Sequence, residues 1–98
     1  MEALTLEALS DKLAPVFLHY NVRKAILFGS RAKGDSRPNS DVDLLVDSGL
    51  TGLRFVGLLE DVQNAAGWEV DLLDVTHVEK GSPIAREIAD TGVVIYEK

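Results

Sequence analysis

Two short apolar runs constrain this chain more than any other feature. Residues 25–28 read Ala25-Ile26-Leu27-Phe28 without interruption, and residues 41–47, apart from Leu45, alternate aspartates with Val42, Leu44 and Val46. An unbroken run of this length, bounded by Arg23 and Gly29, fits a buried strand, whereas alternation fits a strand with two unlike faces. In the second run Asp41, Asp43, Leu45 and Asp47 share one face, and Val42, Leu44 and Val46 share the other. Between them, residues 30–40 form a polar loop containing Gly34 and Pro38, with room for one helical turn near Arg31. The chain must therefore build a sheet with a carboxylate-bearing face close to a glycine-led turn.

The remaining elements follow from spacing. Leu6, Leu9, Leu13, Phe17 and Tyr20 recur at three- and four-residue intervals, which predicts an amphipathic helix over 5–20 with Thr5 as N-cap. Pro15 removes a backbone donor and should kink or divide that helix. Gly49 and Gly52 mark a turn before a second helix over 53–66, with Phe55, Leu58, Leu59 and Val62 as its buried face and Gly67 as its stop. Residues 68–74 predict a third strand and 76–82 a connection. A short helix over 83–90 follows, with Pro83 in its first turn and Gly92 at its end. Residues 93–96 predict the last strand. The order α-β-β-α-β-α-β gives an α/β (α+β) class: a single mixed sheet of about four strands covered by helices. With 98 residues, no linker and no internal repeat, residues 1–98 are expected to be one domain.

Composition narrows the function. The net charge of -6, from 10 Lys+Arg against 16 Asp+Glu, argues against direct nucleic-acid binding, which needs a basic face to displace counterions. The chain has no cysteine, so a disulfide scaffold, a thiolate zinc site and a cysteine nucleophile are all excluded. The N-terminus is acidic and charges interrupt every apolar run, so neither a signal peptide nor a membrane span is expected, and the cytoplasm is the expected location. The basic residues are unevenly placed: Arg23, Lys24, Arg31, Lys33 and Arg37 lie within one stretch, followed by Asp41, Asp43 and Asp47. A basic patch beside carboxylates can hold a polyanion and its metals, although a solvated surface has the same composition.

Gly29-Ser30, then ten residues, then Asp41-Val42-Asp43 is the pattern that carries chemistry. Aspartates at i and i+2 on a strand point to one face, about 7 Å apart along the backbone, and can converge on hard cations, which require oxygen ligands. Gly29 closes a strand without a side chain, so a ligand can approach its backbone closely. Ser30 adds a hydroxyl and an N–H that can donate to a phosphate oxygen. Arg31 and Lys33 can neutralise a triphosphate, though long basic side chains in a loop are commonly just solvated. The spacing matches neither a Walker loop nor a dinucleotide fingerprint. A strand–turn–strand with incidental aspartates, Ser40 and Asp41 serving the turn, is the plainer alternative.

A phosphoryl- or nucleotidyl-transfer site usually needs a third carboxylate. The third strand offers Glu69, Asp71 and Asp74. Val70 and Leu72 want the core, which places Glu69 and Asp71 on the other face. Asp74 shares the Val70 face at the strand end and suits loop capping. Asp71, central in its strand, is the candidate. His19, His77, Trp68 and Tyr96 are read as surface, helix-end or packing residues, since neither histidine has a metal-spaced partner.

The stretch Leu27-Phe28-Gly29-Ser30-Arg31-Ala32-Lys33-Gly34, followed by Ser40-Asp41-Val42-Asp43-Leu44-Leu45-Val46, resembles the minimal nucleotidyltransferase (MNT) family of the DNA polymerase beta-like superfamily. Val70-Asp71-Leu72-Leu73 and Gly92-Val93-Val94-Ile95-Tyr96 extend the resemblance over essentially the whole chain. The resemblance implies a nucleotidyltransferase fold, with Asp41, Asp43 and Asp71 holding two Mg²⁺ ions and Gly29 and Ser30 holding the triphosphate of ATP. It further implies a HEPN-domain toxin as partner, in a type VII-like toxin–antitoxin pair. There the MNT antitoxin transfers AMP to a tyrosine of the toxin, a protein adenylyltransferase activity. The short length leaves no room for an acceptor-holding domain and is consistent with a separate or tightly associated partner. Neutralisation by binding alone, and modification of a small molecule as in aminoglycoside nucleotidyltransferases, are the alternatives.

Overall fold

The protein, seen in a computed structural model that describes residues 6–29, 42–67 and 69–98, is built on one four-stranded sheet. Its strands are β1 (Lys24–Phe28), β2 (Val42–Asp47), β3 (Val70–Asp74) and β4 (Val93–Glu97), ordered β3-β2-β1-β4. The two apolar runs occupy the centre, and β1 pairs antiparallel with both β2 and β4. Only β2 and β3 are parallel. A parallel pair needs a long crossover, and here helix α2 (Gly52–Ala66) supplies it.

One sheet face carries the core. Val42, Leu44 and Val46 of β2 are fully buried there, together with Ala25 and Leu27 of β1 and Val70 and Leu72 of β3. Helix α1 (Leu6–His19) presents Leu9, Leu13 and Phe17 to this face, and α2 presents Leu58, Val62 and Ala66. The predicted periodicity holds for Leu9, Leu13, Phe17, Leu58 and Val62, with Tyr20, Phe55 and Leu59 packed at the margin, but Leu6 is exposed in the first turn of α1. Tyr96 is half-buried, its ring 5.3 Å from that of Phe17, which is a packing role. A register shift between Ala25 and Ile26 lets both Ile95 and Tyr96 of β4 contribute to the core.

Pro15 lies inside one continuous α1 and does not divide it. The proline is exposed and so is Asp11, four residues earlier, so the carbonyl deprived of its donor can bond to water. Thr5, the expected cap of this helix, and the Trp68 side chain lie outside the described residues. The third strand begins at Val70, two residues later than expected. Gly67 closes α2 in a left-handed conformation, its N–H donating to the Gln63 carbonyl at 2.9 Å. Polar ties fasten the layers: Ser10 Oγ donates to the Ile95 carbonyl at 2.6 Å, and Gln63 Nε2 to the Val70 carbonyl at 3.1 Å. No described helix is long and apolar enough to cross a membrane.

The opposite face carries Ile26, Phe28, Asp43, Leu45, Asp71 and Leu73, following the register of β1, β2 and β3. Helix α3 (Pro83–Thr91), capped by Ser82 Oγ accepting from the Ala85 N–H at 3.2 Å, packs against β1 on this side. The turn out of α3 is tight. A Cβ added at Gly92 would lie 2.4 Å from the Ile88 carbonyl oxygen and 2.9 Å from Ile26 Cγ2, so only glycine lets the helix end meet the sheet.

Asp74 closes β3 as a buried cap, the role its strand parity suggested. Only 1% of it is exposed, and its carboxylate accepts from the Ser48 N–H and hydroxyl and from the Thr76 N–H and hydroxyl, at 2.6–3.1 Å. Its own N–H donates to His77 Nδ1 at 3.1 Å, within a 3-10 turn spanning Val75–His77. Burial alone would raise the Asp74 pKa, but the four bonds from Ser48 and Thr76 outweigh it and hold the carboxyl below its ordinary value. A depressed folded-state pKa gives stability that is complete above the unfolded-state value of about 3.9 and fades as pH falls through the folded value. Asp74→Asn should therefore flatten the loss of stability below about pH 4 seen in urea titrations of the wild type. Asp74→Ala, which orphans several buried donors, should cost about 2–4 kcal/mol at neutral pH.

Candidate active site

Parallel pairing brings two of the expected carboxylates together. Asp43 on β2 is the register partner of Asp71 on β3, so the two side chains leave one face from adjacent strands whose backbones run about 4.8 Å apart. Alternation does the rest. Val42 and Leu44 point to the core, as do Val70 and Leu72, which turns both aspartates away from it. Asp71 is exposed and Asp43 is half-buried.

Gly29 completes the group from the other side. Phe28 is the antiparallel partner of Asp43, so the residue after it emerges beside the carboxylate. Gly29 is buried, with φ +81°, a left-handed conformation that side chains rarely tolerate. A Cβ built there would stand 2.6 Å from Asp43 Oδ2. The glycine thus answers two demands at once: the turn needs its conformation, and the carboxylate needs its space. Its N–H donates to Thr91 Oγ1 at 3.0 Å.

Asp43, Asp71 and Glu87 line one open cleft of about 530 Å³, with Phe28, Leu73 and Ile84 among its apolar walls. Glu87, on α3, places Oε1 3.6 Å from the point where a Gly29 Cβ would be. Sequence reasoning missed Glu87 and Thr91. Both reach Gly29 across some sixty residues of chain, a contact that no local spacing signals. The other expected members, Ser30, Arg31, Lys33 and Asp41, lie outside the described residues.

The donor chemistry fits a hard divalent cation such as Mg²⁺, which takes oxygen ligands and is bound through one or two carboxylates together with substrate phosphates. Asp43 and Asp71 supply such oxygens from register-paired positions. Among the described residues no three metal-binding side chains are gathered closely enough to hold an ion by themselves. Asp74 does not join them: it opens to the core side and is consumed by Ser48 and Thr76. Glu69, of the same parity as Asp71, stands just before β3 and is exposed. His19 is exposed at the end of α1, its ring 5.2 Å from that of Tyr20. His77 is committed to the Asp74 cap.

Comparison with known proteins identifies the family and the fold. Residues 11–98 match the sequence model of the family described as polymerase beta, nucleotidyltransferase. The protein adenylyltransferase MntA of Thermococcus cleftensis is 31% identical over 96 residues, covering 90% of this chain and 97% of that protein. Among solved structures, a toxin–antitoxin crystal structure with AMP-PNP superposes with a TM-score of 0.76 at 20% identity, over 91% of this chain and 73% of the other. The complex of a tri-AMPylated Shewanella oneidensis HEPN toxin with its MNT antitoxin gives 0.71 at 16%, over 96% and 74%. At these identities the superpositions establish a shared fold, and the sequence match over nearly the full length of the relative establishes kinship. The chain belongs to the polymerase beta nucleotidyltransferase family.

Proposed function

We propose that this protein is a Mg²⁺-dependent adenylyltransferase that moves AMP from ATP to a tyrosine hydroxyl of a HEPN-domain toxin and thereby acts as its antitoxin. The observation that carries the reading is the register pairing of Asp43 with Asp71 at one cleft, with the side-chain-free backbone of Gly29 against Asp43. Kinship with MntA, named a protein adenylyltransferase, supports AMP as the transferred group. The HEPN partner and the nucleotide are supported by complexes that share the fold: one pairs an MNT antitoxin with an AMPylated HEPN toxin, and another contains AMP-PNP. The family match over residues 11–98 supports reading residues 1–98 as one catalytic domain.

In this reading Asp41, Asp43 and Asp71 hold the cations, and the Gly29–Ser30 turn receives the triphosphate. When bound, Mg²⁺ supplies electrophilic stabilisation of the phosphates and lowers the pKa of the attacking hydroxyl. The absence of a Cβ at Gly29 lets the Asp43 carboxylate stand against the turn that would receive the phosphates. Arg31 and Lys33 offset triphosphate charge. Asp71, the more exposed of the described pair, can accept the proton of the tyrosine hydroxyl. The tyrosine oxygen bonds to the α-phosphorus as the bond from that phosphorus to the pyrophosphate oxygen breaks. The apolar walls of the cleft suit an aromatic acceptor better than a highly hydroxylated sugar.

With α-labelled ATP, Mg²⁺ and a HEPN-domain toxin, label should pass to the toxin. Asp43→Ala and Asp71→Ala should each lower the transfer rate by at least roughly a hundredfold, as expected when a group that stabilises the transition state is lost. Continued labelling by Asp43→Ala sinks the mechanism. Protection against the toxin by an Asp41→Ala/Asp43→Ala variant would instead favour neutralisation by complex formation, and pyrophosphate release with a small molecule alone would favour that substrate class. Gly29→Ala forces a Cβ into Asp43 Oδ2 at a left-handed position, so it should abolish transfer and lower stability by about 1–3 kcal/mol, read by thermal denaturation.

A further inference from the structure

Thr91, the last residue of α3, connects that helix to the turn at Gly29. Its hydroxyl donates to the Glu87 carbonyl at 2.8 Å, one helical turn back, and accepts from the Gly29 N–H at 3.0 Å. A threonine hydroxyl has a single proton. With that proton committed to Glu87, a lone pair is left to receive Gly29, so the helix terminus fixes the direction of the bond. Gly29 is buried, and its N–H would otherwise be a donor removed from water.

Both ends of this link are anchored. On the helix side, Gly92 seats the end of α3 so closely that an added Cβ would overlap the Ile88 carbonyl and press on Ile26 of β1. On the sheet side, Gly29 has φ +81° and no side chain with which to hold its own orientation. Rotation of the peptide entering Gly29 would carry the turn towards or away from Asp43 Oδ2, which already lies against it. The bond to Thr91 directs the Gly29 N–H to the end of α3.

We propose that Thr91 is a positioning residue for nucleotide binding: its hydroxyl sets the Gly29 peptide in the orientation that receives the triphosphate beside Asp43. Thr91 acts through Gly29 and need not touch the nucleotide. The inference rests on the adenylyltransferase reading of the cleft and adds to it a residue from a helix that carries none of the sequence motif.

The test combines nucleotide affinity with a direct probe of the bond. Thr91→Val keeps the shape and removes the hydroxyl; Thr91→Ser keeps the hydroxyl; Thr91→Ala stands in for valine if that variant folds poorly. Titration with Mg²⁺ and α,β-methylene-ATP, an analogue that cannot transfer AMP, should show Kd rising about tenfold in Thr91→Val, the scale of one lost hydrogen bond, and near wild type in Thr91→Ser. Amide hydrogen exchange at Gly29 should be faster in Thr91→Val and unchanged in Thr91→Ser, with the melting temperature lowered by a few degrees in Thr91→Val alone. Equal affinity in wild type and Thr91→Val, or failure of Thr91→Ser to retain it, overturns the positioning role and leaves the transfer reading standing. No nucleotide binding by the wild type overturns the transfer reading and this role with it.

Discussion

The parallel pairing of β2 with β3 is the contact on which the site depends. The sheet is otherwise antiparallel, and a hairpin-like meander would not set Asp71 beside Asp43. The crossover through α2 makes the pairing possible, and the burial of Leu58 and Val62 against the sheet stabilises it. Register then matters more than strand identity. A slip of one residue would send Asp71 into the core and Val70 or Leu72 into the cleft, a change opposed by every buried side chain of the strand. The hydrophobic effect thus specifies the geometry of the carboxylates, although the carboxylates contribute nothing to it.

Two aspartates in this relation carry a cost, since like charges on adjacent strands repel. Asp74 shows how the same strand treats a carboxylate that serves structure: it is buried, surrounded by donors and held ionised. Asp71, three residues earlier, points the other way, into an open cleft. The contrast between a satisfied carboxylate at the strand end and a solvent-facing one at its middle separates the structural member from the candidate chemical one in a single short sequence, Val70-Asp71-Leu72-Leu73-Asp74.

Much of this was legible in the sequence because the signals are local. Period-two alternation assigned Asp43 and Asp71 to the face away from the core and Asp74 to the core side, and the helical spacing of Leu9, Leu13 and Phe17 located the packing face of α1. Gly29 was legible as a turn, but its second requirement, clearance from Asp43, is a contact between strands and appears only once they pair. That α1 continues past Pro15 was not legible, because the exposure that leaves the freed carbonyl open to solvent is set by the tertiary fold. Glu87 and Thr91 were invisible because α3 reaches Gly29 only after the sheet has formed, and nothing within their own segment marks them.

The central claim is that Gly29, Asp43 and Asp71 form one site for a metal–triphosphate. A crystal structure of the wild-type protein grown with Mg²⁺ and α,β-methylene-ATP tests it most directly. The account predicts the phosphates against the Gly29 backbone, with Asp43 and Asp71 oxygens in the coordination shell of the bound cations. A nucleotide seated elsewhere, or phosphates at Gly29 with neither carboxylate turned towards a metal, would contradict it.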